Sequence, residues 1–309
     1  MTKKIEKDAS SWLLGNRRLG GITEQNPSGK YPKAKTVSIT GGKGGVGKSS
    51  VAIKVAKILA ENFSRKVLLI DCDYTLSNTA VKMGIPLNND FHDLVLTAKN
   101  FSEVLYKDKN FHLLPGCNGN IDLFKNGINF EQFVIDLIMQ QEKNYDFILL
   151  DCPAGLRKEN LTINAYSDYR FIVVNPDKSS ITDSYSLMKI LSNSYGIKEN
   201  HLIVNRANSD RQAEKLVRVL GETVENFLGG RLSILGTIFN LDVEIDQFDG
   251  ELLKNSPSKI HTNFLNVVRN FTEKTLGEVP ITDEVMNFVP VSLLGARQDV
   301  ITNNWTRSA

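Results

Sequence analysis

Short, unbroken apolar runs recur along the chain, each bounded by polar or turn-forming residues. They are Thr36-Val37-Ser38-Ile39-Thr40, Val67-Leu68-Leu69-Ile70, Phe147-Ile148-Leu149-Leu150, Phe171-Ile172-Val173-Val174, Leu202-Ile203-Val204 and Ile234-Leu235-Gly236-Thr237-Ile238. Continuous runs of this length predict strands buried on both faces. Between them apolar residues return at helical spacing: Val51, Val55, Ile58 and Leu59; Ile181, Tyr185, Met188 and Leu191; Ile260, Phe264, Val267, Val268 and Phe271. Buried strands alternating with amphipathic helices predict an α/β domain with a mostly parallel central sheet and helices on both faces. Residues 1–35 are polar and broken by Gly20-Gly21, Pro27 and Pro32, which predicts a flexible arm. After Leu276 the pattern dissolves, leaving a tail over 277–309 with Pro280 and Pro290. The domain is therefore expected over 36–276. No internal repeat of fixed period interrupts it.

Composition narrows the picture. With 309 residues, 41% of them hydrophobic, the chain can bury the core of one such domain. The net charge of +2 and the lack of one-sign runs give no electrostatic case for nucleic-acid binding. Cys72, Cys117 and Cys152 form no CxxC pair, and the histidines are scattered, so neither a disulfide framework nor a zinc site is expected. Cys72 and Cys152 read as small buried fillers. The polar start from Met1 to Asp8 carries no signal peptide, and no segment approaches the roughly 20 apolar residues that span a bilayer. A cytoplasmic location is expected.

The chemistry begins at Gly42-Lys43-Gly44-Gly45-Val46-Gly47-Lys48-Ser49, which satisfies G-x-x-x-x-G-K-[ST] between a predicted strand and a predicted helix. Glycines let backbone N–H groups turn inward around phosphates, and the helix beginning at Lys48 adds its positive end. Lys48 is placed to neutralise the β- and γ-phosphates, Ser49 to ligate Mg²⁺, and Ser50 completes the candidate phosphate-contact set. Asp151 closes the run Phe147–Leu150, and Asp71 and Asp73 close Val67–Ile70, at strand ends where ligands gather in open α/β sheets. Asp151 is a candidate to hold Mg²⁺ through water. Asn205 ends another strand, where its amide can pair with an adenine edge.

Lys43, two residues after the first glycine of Gly41-Gly42-Lys43-Gly44-Gly45, makes the loop resemble the deviant Walker A of the MinD/ParA family of ATPases. The resemblance implies a P-loop NTPase fold, ATP and Mg²⁺ as cofactors, and a homodimer that sandwiches two ATP molecules. It implies that Lys43 reaches the partner's phosphates, much as an arginine finger does in trans. It also implies that Asp73 orients the attacking water, that Asp71 lies near the metal shell, and that Gly155 in Pro153-Ala154-Gly155 offers a backbone N–H to the γ-phosphate.

Leu76 and Asn78 match the MinD branch rather than the partition branch. The stretch Pro176-Asp177-Lys178-Ser179-Ser180-Ile181-Thr182-Asp183-Ser184-Tyr185-Ser186-Leu187-Met188-Lys189 resembles the FlhG (FleN, YlxH) group, which sets flagellar number and position. That likeness implies the flagellar GTPase FlhF and flagellar switch proteins as partners. Several residues depart from the pattern: the N-terminal Asp-Gln-Ala-x-x-Leu-Arg motif is missing, Thr75 replaces a glycine, Ala80 replaces an acidic residue and Phe239 replaces a proline. Relatives end in a basic amphipathic helix, whereas Glu284–Leu294 is apolar, nearly uncharged and broken by Pro290. Attachment to the inner face of the membrane and packing against protein both remain open for that tail. Two other functions also stay open: placement of a different cargo, such as a division site, a pilus or DNA, and a nucleotide-controlled scaffold with negligible turnover.

Overall fold

The computed structural model describes residues 33–73, 78–86, 93–94, 99–116, 129–241, 243 and 245–277. The remainder of the expected arm and tail, with Thr75, Leu76 and Cys117, lies outside the described residues. Each apolar run is a strand: β1 Lys35–Thr40, β2 Val67–Asp71, β5 Phe147–Asp151, β6 Tyr169–Val174, β7 Glu199–Ala207 and β8 Arg231–Phe239. Helices follow them: α1 Lys48–Glu61, α2 Thr79–Lys82, α3 Phe130–Gln141, α4 Lys158–Tyr166, α5 Lys178–Tyr195, α6 Asp210–Leu228, α7 Ile245–Leu253 and α8 Lys259–Asn270. Two short strands, β3 Tyr106–Asp108 and β4 Phe111–Leu114, were not anticipated from the sequence. They are three and four residues long in a polar stretch, so periodicity gives them no signal. Ala34 is buried and Lys35 already pairs with Phe147, so the sheet begins one residue before Thr36.

The strands form one sheet in the order β3-β4-β2-β5-β1-β6-β7-β8, parallel except at β3–β4. Alternate side chains of each strand enter opposite layers, as the pleat requires. Val67, Leu69, Phe147 and Leu149 join α1 and α8 through Val55, Leu59, Phe264 and Val268. On the other face Leu68, Ile70, Ile148 and Leu150 meet Val134 and Ile138 of α3. Farther along that face, Ile172, Val174, Leu202 and Val204 meet Leu187 and Leu191 of α5 and Leu220 of α6. The result is a three-layer sandwich with β1 near its middle. The carboxyl ends of β1, β5 and β2 lie side by side, and the loops that leave them build the site. Among the described residues no helix is long and apolar enough to cross a membrane.

Candidate nucleotide site

The loop from Gly41 to Gly47 leaves β1 and enters α1. Two of its glycines are required for different reasons. Gly47 sits at φ +98, and a Cβ there would stand 2.4 Å from the Asn205 amide nitrogen. Gly42 needs space rather than a special dihedral: a Cβ would lie 2.1 Å from the Asp183 carbonyl carbon. The loop therefore rests backbone to backbone on α5. No side chain caps the first turn of α1, and that turn contains no acidic residue, so its amides remain available to an anion.

Lys48 is buried, and desolvation holds its ammonium below the usual lysine range against the opposing pull of Asp151. Lys43 points elsewhere. Its Nζ donates to Ser179 Oγ at 2.7 Å and pairs with Asp177 Oδ1 at 3.2 Å. Asp177 also caps α5 by accepting from Ser180 N at 2.9 Å, and bonds from Ser179, then Ser180, hold its carboxyl below the usual range. Both partners are about two-fifths exposed, so releasing Lys43 toward another subunit costs on the order of 1 kcal/mol or less.

Asp71 and Asp151 are direct partners in the parallel register of β2 and β5, and both are buried. Asp71 is satisfied: it accepts from Thr79 Oγ1 at 2.6 Å, the Asp73 amide at 3.0 Å and the Thr79 amide at 3.4 Å. Asp151 accepts the Ser49 hydroxyl, but its Oδ1 has no hydrogen-bond partner. Burial, with the Asp71 charge beside it, pushes the Asp151 carboxyl up to about 8. An orphaned buried carboxylate oxygen beside a serine hydroxyl fits a hard divalent cation. Among the described residues no group of three or more His, Cys, Asp or Glu side chains could cage a metal. That suits Mg²⁺, which keeps waters and shares its ligands with phosphates.

Gly155, at φ +97, lies four residues past Asp151, and its carbonyl accepts from Asn160 Nδ2 at 2.7 Å. Asn205 is buried beneath the loop, where its Nδ2 donates to Val46 O at 2.7 Å. It thus struts the loop from below in addition to any contact with a base. Lys48, Ser49, Asp151, Asp71 and Asp73 converge at the strand ends, whereas Lys43 diverges toward α5. Sequence reasoning missed the roles of Asp177, Ser179, Thr79 and Asn160. Of these only Asp177 carried a visible signal, as an acidic residue preceding a helical pattern. The most prominent surface groove, about 1130 Å³, lies between the start of α6 and α8 and is lined by none of the P-loop residues.

A glycine loop between a central parallel strand and a helix, with a lysine, a serine and a carboxylate at its mouth, defines a P-loop nucleotide hydrolase. Comparison with known proteins agrees. The AAA_31 model, an AAA domain, matches residues 34–204. The chain is 26% identical over 211 residues to the antiactivator FleN of Pseudomonas aeruginosa, covering 68% of this chain and 75% of that one. It is 34% identical over 182 residues to the septum site-determining protein MinD of Helicobacter pylori, covering 56% and 67%. It superposes on Pyrococcus horikoshii MinD complexed with Mg-ADP at a TM-score of 0.64 and 25% identity, over 78% of this chain and 97% of that one. The chain belongs to the MinD/ParA family of P-loop ATPases, and its activity is ATP hydrolysis.

Proposed function

We propose that this ATPase is an FlhG-like switch, in which ATP drives a homodimer that binds or releases flagellar-assembly partners and slow hydrolysis resets it. The observation that carries the reading is the position of the Ser179–Lys189 run. It forms the start of α5, the helix on which the phosphate loop rests at Gly42 and from which Asp177 and Ser179 hold Lys43. The likeness to FleN over most of that protein's length supports it.

In this reading the amides of Gly42 to Ser50 wrap the phosphates and Lys48 neutralises their charge. Ser49 and Asp151 hold Mg²⁺, which supplies charge neutralisation at the β- and γ-oxygens. Asp71 fixes the loop carrying Asp73, and Asp73 orients the attacking water. Gly155 offers its N–H to the terminal phosphate, and Asn205 supports the loop and meets the adenine. Lys43 leaves Asp177 and Ser179 for the partner's phosphates, so turnover follows dimer formation. FlhF and the flagellar switch proteins are the partners this reading implies, at the inner face of the membrane.

Asp73→Ala is expected to accumulate as a dimer with ATP, and Lys43→Ala to bind ATP yet stay monomeric, as read by size-exclusion chromatography with light scattering. Elution independent of nucleotide in both variants would count against the switch. A second reading, placement of a division site, is favoured by the 34% identity to MinD of Helicobacter pylori. Deleting the gene in its host separates the two. Altered flagellar number supports the FlhG-like reading; misplaced septa with normal flagella support the other.

A further inference from the structure

Helix α4 turns polar side chains into the core. Asn160, Thr162 and Asn164 are each exposed by 1% or less. Asparagine within a helix competes with the backbone for hydrogen bonds, and burying its amide carries a desolvation cost that leucine or alanine avoids. The two asparagines stand one turn apart and form a relay. Asn164 Nδ2 donates to Asn160 Oδ1 and to the Asn160 carbonyl, both at 2.8 Å. Asn160 Nδ2 donates in turn to Gly155 O at 2.7 Å. Lower down, Arg170 of β6 donates to Asn164 O at 3.3 Å and to Ser167 O at 2.6 Å, tying the relay to the sheet.

The relay ends in the loop that follows Asp151. A Cβ built on Gly155 would meet no atom within 4 Å beyond its chain neighbours, so packing does not hold that residue in place. Leu156 beside it is 42% exposed. The hydrogen bond from Asn160 is what connects this glycine, in its left-handed conformation, to the rigid body of the protein.

We propose that Asn160 is a positioning residue of the ATPase: by gripping the Gly155 carbonyl it fixes the turn after β5, so that the loop's backbone donors meet a terminal phosphate when one is present. The inference rests on the reading of Gly155 as phosphate-facing given above. Asn160 touches no reacting atom; it sets the cost of ordering the loop. That cost is incurred with ATP and not with ADP, so the signature is discrimination between the two nucleotides rather than overall affinity.

The test uses the full chain with Mg²⁺ and either ADP or a non-hydrolysable ATP analogue, measured by calorimetry, together with steady-state phosphate release. Asn160→Asp keeps the acceptor that Asn164 needs, removes the donor and sets a carboxylate against the Gly155 carbonyl. It is expected to bind ADP within about twofold of wild type, to bind the analogue about tenfold more weakly, and to lose a similar factor in kcat, the worth of one oriented hydrogen bond. Asn164→Ala loosens the relay without removing the donor, and shifts the analogue-to-ADP ratio in the same sense by a smaller factor. A wild-type ratio in both variants, whether the two affinities hold or fall together, overturns the proposal. Should Asn160→Asp fail to fold, Asn164→Ala decides by the same ratio. Gly155→Ala is the reference. If it too keeps the wild-type ratio, Gly155 does not sense the phosphate and this inference falls with that reading. If only the asparagine variants keep it, the reading stands and the role of Asn160 alone is lost.

Discussion

The ends of β2 and β5 look alike and behave differently. Each strand finishes on a buried aspartate followed by a buried cysteine, and Asp71 and Asp151 face each other in register. Both thiols donate weakly to the carbonyl two residues back, Cys72 to Ile70 O and Cys152 to Leu150 O, and both lie above the usual thiol range because they are buried. Yet Asp71 spends its oxygens on Thr79 and on the Asp73 amide, whereas Asp151 keeps one unpaired. One carboxylate is structural mortar for the loop after β2; the other is held in reserve for a ligand. The same residue type at the same height in the same sheet gains its role from the donors that reach it. Those donors come from the loops, not from the strands.

Removing the reserved carboxylate is the strongest way to break the comparison. Asp151→Asn is expected to lower ATP turnover at saturating Mg²⁺ by at least about a hundredfold. Phosphate release would read the loss, while the fold, followed by circular dichroism, stays intact. On the β2 side the consequence is stability rather than chemistry. Thr79→Val preserves shape but withdraws the hydroxyl from Asp71, leaving a buried oxygen short of a partner. Urea unfolding should show a loss of about 1–3 kcal/mol, with turnover falling less than tenfold. If instead Thr79→Val abolished turnover and left stability untouched, the division of labour between the two aspartates would be reversed.

The smallest effect belongs to a buried titratable group remote from both. His201 packs edge-on against Phe271 and near Tyr169 and Phe171. Burial, then the Arg170 charge, pushes its imidazole down to about 4. Above pH 6.5 the ring is neutral in both states. As the pH falls from there toward 4 the unfolded chain takes a proton that the folded chain refuses, so stability declines. The loss attributable to this ring between pH 7.5 and pH 5 is about 2 kcal/mol. His201→Phe should flatten that part of the pH profile in urea unfolding while leaving turnover at pH 7.5 unchanged.

Much of this could be read from the chain alone, for identifiable reasons. Strands buried on both faces must be continuously apolar, so β1, β2, β5, β6, β7 and β8 announced themselves. The hairpin of β3 and β4 sits at an edge, with Tyr106 and Lys107 exposed, and had no such pattern to show. The phosphate loop is local, and its residues stand in the order the chemistry needs. Partnerships across long sequence separations were not legible. Lys43 meets Asp177 134 residues away, and Asn205 reaches Val46 across 159. Asp71 and Asp151 could not be told apart, because the difference lies in Thr79, whose hydroxyl reaches Asp71 only after the chain turns back. The asparagines of α4 disguised themselves as ordinary polar helix positions, since a face can be recognised as buried by its sequence only when it is apolar.

The outermost strand on the β8 side carries one more lesson. It is nine residues long and has a neighbour on one side only. On its open side Asn263 accepts from the Phe239 amide at 3.4 Å and Asn270 donates to Leu235 O at 2.7 Å, both from α8. A frayed hem of peptide groups would otherwise invite a foreign strand to continue the sheet. With two of those groups already taken, lateral growth into fibrils is discouraged, and copies of the chain are left to meet through the rim where the phosphate loop lies.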